Sequence, residues 1–140
     1  MDNSILVGKY IYQALSNDDT LTALVSSDKI FPLKAKVQVN PETGDEEDIT
    51  FPFIVYARES LTPIYTKDML TSNQVKFTII AVSDEYEESL EIANAVRNCL
   101  ECKVYQDNNI NISRIKLDTI SEETIDEAFI QTIGFSFEAN

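Results

Sequence analysis

Apolar residues near the start of the chain fall at Ile5, Leu6, Tyr10, Ile11, Ala14 and Leu15. That spacing lays one stripe along a helix. Asp2, Asn3 or Ser4 stands where a cap is needed. Asn17, Asp18 and Asp19 end this helix and open a short second one over Leu21, Leu24 and Val25, because a carboxylate there accepts the unpaired amide protons of a first turn. Ile30-Phe31-Pro32 predicts a short edge strand, since proline cannot donate to a central ladder.

Two extended stretches, 34–39 and 49–58, flank Asn40-Pro41-Glu42-Thr43-Gly44-Asp45-Glu46-Glu47-Asp48. Pro41 and Gly44 bracket a turn, and five acids keep it in water. The pattern predicts a protruding acidic hairpin over 34–49. Phe53-Ile54-Val55-Tyr56 is apolar on both faces, as in a central, well-covered strand. Residues 60–72 have no period and predict a loop or irregular edge. Over 73–83, Val75, Phe77, Ile79 and Ala81 alternate with Gln74, Lys76 and Thr78; Ile80 and Val82 make the second half apolar on both sides.

The strongest helix runs over 84–101, with Tyr86, Leu90, Ala93, Val96 and Leu100 three or four apart. Asp84 and Glu87 make a start like a capping box, and Glu85, Glu87 and Glu88 suit the positive end of the helix. A strand over 110–117 changes apolar phase between Ile112 and Ile115, which predicts a bulge. A polar turn follows over 121–127. The last strand puts Phe129, Gln131, Ile133, Phe135 and Phe137 on one face. This order gives an α+β fold in a single domain over 1–140. It has a mixed, mainly antiparallel β-sheet, with an N-terminal helix and one long helix packed on one face.

Composition changes this picture mainly through charge. The chain has 140 residues with 24 acids, 11 bases and no histidine, for a net charge of −13. Histidine-based triads, dyads and metal sites are excluded, and a basic nucleic-acid face is not expected at this charge. The start of the chain does not have the pattern of a signal peptide, and the apolar runs are too short to span a membrane. Cys99 and Cys102 have the spacing of a redox or zinc pair. They fall at the C-terminal end of a predicted helix, where the dipole does not favour a thiolate, so packed thiols are expected. Three stretches hold 15 of the 24 acids: Glu42, Asp45, Glu46, Glu47 and Asp48; Asp84, Glu85, Glu87, Glu88 and Glu91; Asp118, Glu122, Glu123, Asp126 and Glu127. They predict solvated faces. Gly8, Gly44 and Gly134 are isolated, so there is no phosphate-cradling loop. No catalytic, cofactor-binding or metal-ligating residue is expected, and no cofactor. A non-enzymatic binding domain is the expectation. An acidic cytosolic adaptor and a metal-dependent enzyme using paired carboxylates are the alternatives.

Several segments together carry a resemblance. The first helix ends in Gln13-Ala14-Leu15 and is followed by 21–25 and Asp28-Lys29-Ile30-Phe31-Pro32. Then come Phe51-Pro52-Phe53-Ile54-Val55-Tyr56, Val75-Lys76-Phe77-Thr78-Ile79-Ile80-Ala81 leading into a Ser-Asp helix start, and Ala93-Asn94-Ala95-Val96-Arg97 with Leu100. With the final Phe-rich strand, this order resembles the small tail-completion family of long-tailed bacteriophages, which includes head–tail joining and tail-terminator proteins. The likeness covers about the whole chain as a pattern of strands and helix, not as a catalytic string. The 34–48 stretch is more acidic than the family's common look.

The resemblance implies a non-enzymatic phage or prophage virion protein. It would form a hexameric ring at the head-proximal end of the tail, stop tube polymerisation and meet tail-tube and head-connector proteins. Assembly would take place in the host bacterial cytoplasm, with DNA contacting the protein only by passage through the ring. A closed ring uses head-to-tail contacts, which need two different patches on each subunit that complement each other. Val37, Val39, Ile64, Tyr65, Met69 and Leu70 are the expected interface residues. Glu42, Asp45, Glu46, Glu47 and Asp48 are expected to face the lumen, where they would repel DNA.

Overall fold

A computed structural model of the chain describes residues 2–35, 38–39, 41–47, 50–67 and 69–140. The first apolar stripe is shorter than expected. Ser4–Leu6 forms a 3-10 turn that leaves Ile5 and Leu6 exposed, and α1 (Val7–Ser16) buries Val7, Ile11 and Leu15. The tighter turn rotates Ile5 and Leu6 off the stripe. Helix α2 (Asp19–Leu24) is capped as expected: Asp18 Oδ1 accepts from the Leu21 amide at 2.9 Å.

Strand β1 (Ile30–Pro32) lies at the sheet edge, parallel to β4 (Phe53–Tyr65). Within the stretch expected to be an acidic hairpin, β2 (Gln38–Val39) pairs antiparallel with β3 (Glu46–Glu47), which the sequence placed in the tip, as a two-stranded sheet of its own. Among the described residues, the 49–58 stretch does not pair back onto 34–39. Its strand pairs instead with β1 and with β5 (Leu70–Ser83). The region expected to be a loop is therefore strand on both sides, with Tyr65 opposite Leu70 at the hairpin end.

Helix α3 (Tyr86–Leu100) starts two residues later than its sequence pattern suggests, so its cap shifts. Glu85 is the capping residue in extended conformation. Ser83 Oγ accepts from the Glu85 amide at 3.1 Å and donates to Glu88 Oε1 at 2.6 Å. Leu90, placed in the apolar stripe by its spacing, is exposed, and the buried face runs through Ser89, Ile92, Ala93, Val96 and Leu100.

The expected strand over 110–117 breaks where its phase changes. It divides into β7 (Asn111–Ile112), which pairs with β6 (Tyr105–Gln106), and β8 (Lys116–Ile125). The break lets both Ile112 and Ile115 turn into the core. The expected polar turn over 121–127 is largely strand, and the chain reverses only at Asp126–Glu127 before β9 (Ala128–Ala139).

The main sheet runs β1-β4-β5-β9. Beyond β9 it continues along β8 and, at the C-terminal end of β9, through β7 to β6. Pairing is antiparallel apart from β1 with β4. One face carries Ile54, Val75, Phe77, Ile79, Ile133, Phe135 and Phe137 against the helices, in one core with Ile11, Leu15, Ile92, Val96 and Leu100. Full burial of one such side chain contributes about 1.5–3 kcal/mol, so this layer dominates the fold's stability. The architecture is the expected α+β class.

Candidate assembly surfaces

The end of the β4–β5 hairpin projects past the last paired residue of β9, Ala139, which lies opposite Asn73. It gathers four of the expected interface residues. Tyr65 is 70% exposed and Met69 66%, Ile64 is half-buried, and the Leu70 backbone pairs with Tyr65. A tip of this composition presents apolar surface that the helix layer does not reach. Val39 lies elsewhere, in β2, and Val37 is outside the described residues. The structure thus brings Ile64, Tyr65, Met69 and Leu70 together and places Val39 on a different hairpin.

Of the hairpin acids, Glu42 and Asp45 are exposed, Glu46 and Glu47 form the backbone of β3, and Asp48 is outside the described residues. The other two acidic stretches converge, apart from Asp118, which lies at the far end of β8 beside Ser136. Ser83 pairs with Phe129, and β8 turns into β9 at that end of the sheet, so the α3 start and the β8–β9 turn share one pole. No Lys or Arg occurs in 84–96 or 117–139.

Two of these acids are bound into the fold. Glu122 accepts from the Tyr86 hydroxyl at 3.0 Å and from Gln131 Nε2 at 3.0 Å, while Glu88 accepts from Ser83. The contact with Glu122 raises the Tyr86 phenol above its ordinary value. Gln131 and Ser89 are buried and bonded to each other at 3.3 Å, so this network ties α3 to β8 and β9.

The cysteines lie apart in environment. Cys99 is buried and donates to the Ala14 carbonyl at 3.3 Å; burial is the main cause that pushes its thiol up to about 12. Cys102 is exposed. Among the described residues no three Cys, Asp or Glu side chains are placed to hold a metal ion, and no helix is long and apolar enough to cross a membrane.

Two further surfaces have no counterpart among the expected interface residues. First, the outer edge of β8 has no strand beside it among the described residues, and every β8 residue except Leu117 is exposed. Second, the sheet face turned away from the helices carries Phe53, Val55, Ile80 and Ile130, all partly exposed, beside the nearly buried Val82 and Phe31. Rings hold this second cluster together: Phe51 stacks on Phe53, and Phe31 meets Phe53 edge-on. The expectation that 53–56 is covered on both faces is therefore half met, since no helix lies over Phe53 and Val55 among the described residues. The doubly apolar runs at 53–56 and 79–82 were the sequence signal for this face.

No family model matches the chain, and no curated protein matches it. Among solved structures, a chain of one titled "Virion of native gene transfer agent (GTA) particle" has a TM-score of 0.72 at 16% identity, covering 92% of this chain and 90% of that one. A second solved chain has a TM-score of 0.57 at 12% identity, covering 94% and 95%. At these identities the likeness is one of fold, extending over nearly the full length of each chain.

Proposed function

We propose that the chain is a non-enzymatic structural protein of a phage or prophage virion. It caps the tail tube or joins tail to head, as a ring of six copies in contact with tail-tube and head-connector proteins. The observation that carries this reading is the fold shared with a chain of a virion particle over nine-tenths of both lengths. The surface supports it. Among the described residues, a sheet face that no helix covers and that is apolar at its α3 end, an unpaired edge in β8 and an apolar hairpin tip offer several different patches for neighbours. In this reading Ile64, Tyr65, Met69 and Leu70 contact the adjoining subunit or tube. The acidic hairpin with Glu42 and Asp45 turns to the lumen, where its charge keeps passing DNA from sticking. Electron microscopy of particles lacking this gene tests the reading. Intact heads and tails left unjoined, or tails of uncontrolled length, are expected; normal joined virions would overturn it.

A further inference from the structure

Among the described residues, β8 pairs with β9 on one side and has no strand on the other. Every second residue of such an edge turns its backbone N–H and C=O outward, where another extended backbone can meet them. Beside this edge lies a cavity of about 290 Å³, lined by Tyr86, Glu122, Glu123, Thr124, Phe129 and Gln131. Register explains its walls. Glu122 and Thr124 pair with Gln131 and Phe129 on the helix side of the sheet, while Glu123 pairs with Ile130 and turns its side chain to the other face. The Tyr86 and Phe129 rings meet edge-on, with centroids 5.6 Å apart. Tyr86 is 44% exposed and Phe129 half-buried, so the aromatic wall is accessible.

One carboxylate is held in place in this cavity. The partners of Glu122, the Tyr86 hydroxyl and Gln131 Nε2, are both neutral, so its charge is not compensated. Gln131 is itself buried and bonded to Ser89, which makes the position of the carboxylate part of the fold. A carboxylate has about four acceptor positions, so two donors leave room for a further N–H. No Lys or Arg supplies it among the described residues, where the one ion pair is Arg97 with Glu101. Lys116, the only base of β8, starts the strand at its far end. Aromatic rings beside an uncompensated carboxylate form a receptor for a cation. Exposed Ile120, on the same side of β8, adds an apolar neighbour. We infer that the β8 edge takes an extended segment of another protein, paired along its backbone, with one Arg or Lys side chain of that segment seated between Tyr86, Phe129 and Glu122. Backbone pairing supplies affinity, and the cavity selects the side chain. A second copy of this chain is the weaker occupant of this edge, because pairing β8 with β8 brings Asp118, Glu122 and Glu123 of both copies together. The contact does not require a ring, so it and the virion reading stand or fall on separate measurements.

The test uses the full-length chain, observed by NMR, with the peptide acetyl-Thr-Val-Thr-Arg-Thr-Val-Thr-amide as the probe. When extended, this peptide puts its Arg and both Val side chains on one side. Titration is expected to shift the β8 amide signals and the ring signals of Tyr86 and Phe129. Citrulline in place of the Arg keeps the shape and removes the charge; it should weaken binding about tenfold, as loss of one charge-assisted hydrogen bond does. Methylating the peptide's backbone nitrogens should abolish binding. Glu122→Gln in the chain should make the Arg and citrulline peptides bind equally. The comparison of peptides on the unaltered chain decides alone if that variant does not fold. Four results each overturn the proposal: no shift along β8, equal binding of the Arg and citrulline peptides to the unaltered chain, binding that survives methylation, or an Arg preference that survives Glu122→Gln at an unaltered melting temperature. Protection of the β8 amides together with a doubled light-scattering mass, before any peptide is added, assigns the edge to a second copy and also overturns it.

Discussion

At the scale of single residues, polar side chains pin the chain's first turn to its last strand. Buried Asn73 Nδ2 donates to Asp2 Oδ2 and Ser4 Oγ, each at 2.7 Å, and to the Ala139 carbonyl at 3.2 Å. The Ser4 hydroxyl, then the Ser4 amide and the Asn73 amide, hold the Asp2 carboxyl below its ordinary value of 3.8. A depressed carboxyl adds stability that is present above the unfolded value and is lost as pH falls through the folded one. Asp2→Asn should therefore lower the urea midpoint at neutral pH and flatten its decline below about pH 3.8. Equal acid slopes for the two chains would show that this carboxyl does not sense folding. The cysteines give a second residue-scale prediction. Buried Cys99, with its thiol pushed up to about 12, should be silent to a thiol reagent in the native chain, while exposed Cys102 reacts. Titration should count one fast thiol when folded and two in denaturant.

At the scale of elements, legibility in the sequence follows burial. Strand β9 was readable because one face is against the helices and the other is not, so its period of two is written from Phe129 to Phe137. Helix α3 was readable for the same reason. The outer halves of β4 and β8 were not. Beyond Arg58 and beyond Leu117 these strands leave the helix layer, few side chains are buried, and no alternation is imposed. Their strand state comes from backbone pairing with β5 and β9, which composition does not record. Half of the candidate surface was legible in the same way. Tyr65 and Met69 stood out as apolar residues without a place in any stripe, whereas the bare face was hidden because apolar on both sides looks the same whether the second side is covered by the fold or by a neighbour. Two variants separate these roles. Ile133→Ala, in the helix-covered face, should cost about 2–5 kcal/mol in denaturant unfolding. Tyr65→Ser with Met69→Ser should change stability by no more than about 0.5 kcal/mol and yet reduce the mass seen by light scattering. A large loss of stability in the second variant would make the hairpin end part of the fold's own support.

At the scale of the whole molecule, net charge sets the conditions under which copies can meet. Each copy brings −13, and every contact between copies proposed above must form against that mutual repulsion. Repulsion between whole subunits acts over tens of ångströms at low salt, while apolar burial acts only at touching distance. Salt therefore discriminates between them. Between about 0.01 M and 0.15 M the screening length falls from about 30 Å to about 8 Å. That range removes most of the long-range repulsion before it reaches pairs held within a few ångströms. Association of the purified chain should therefore tighten as salt rises across this range, read as an increase in light-scattering mass at fixed concentration. Association that loosens steadily from the lowest salt upward would mean that attraction between opposite charges, and not the summed −13 of each copy, governs how the subunits come together.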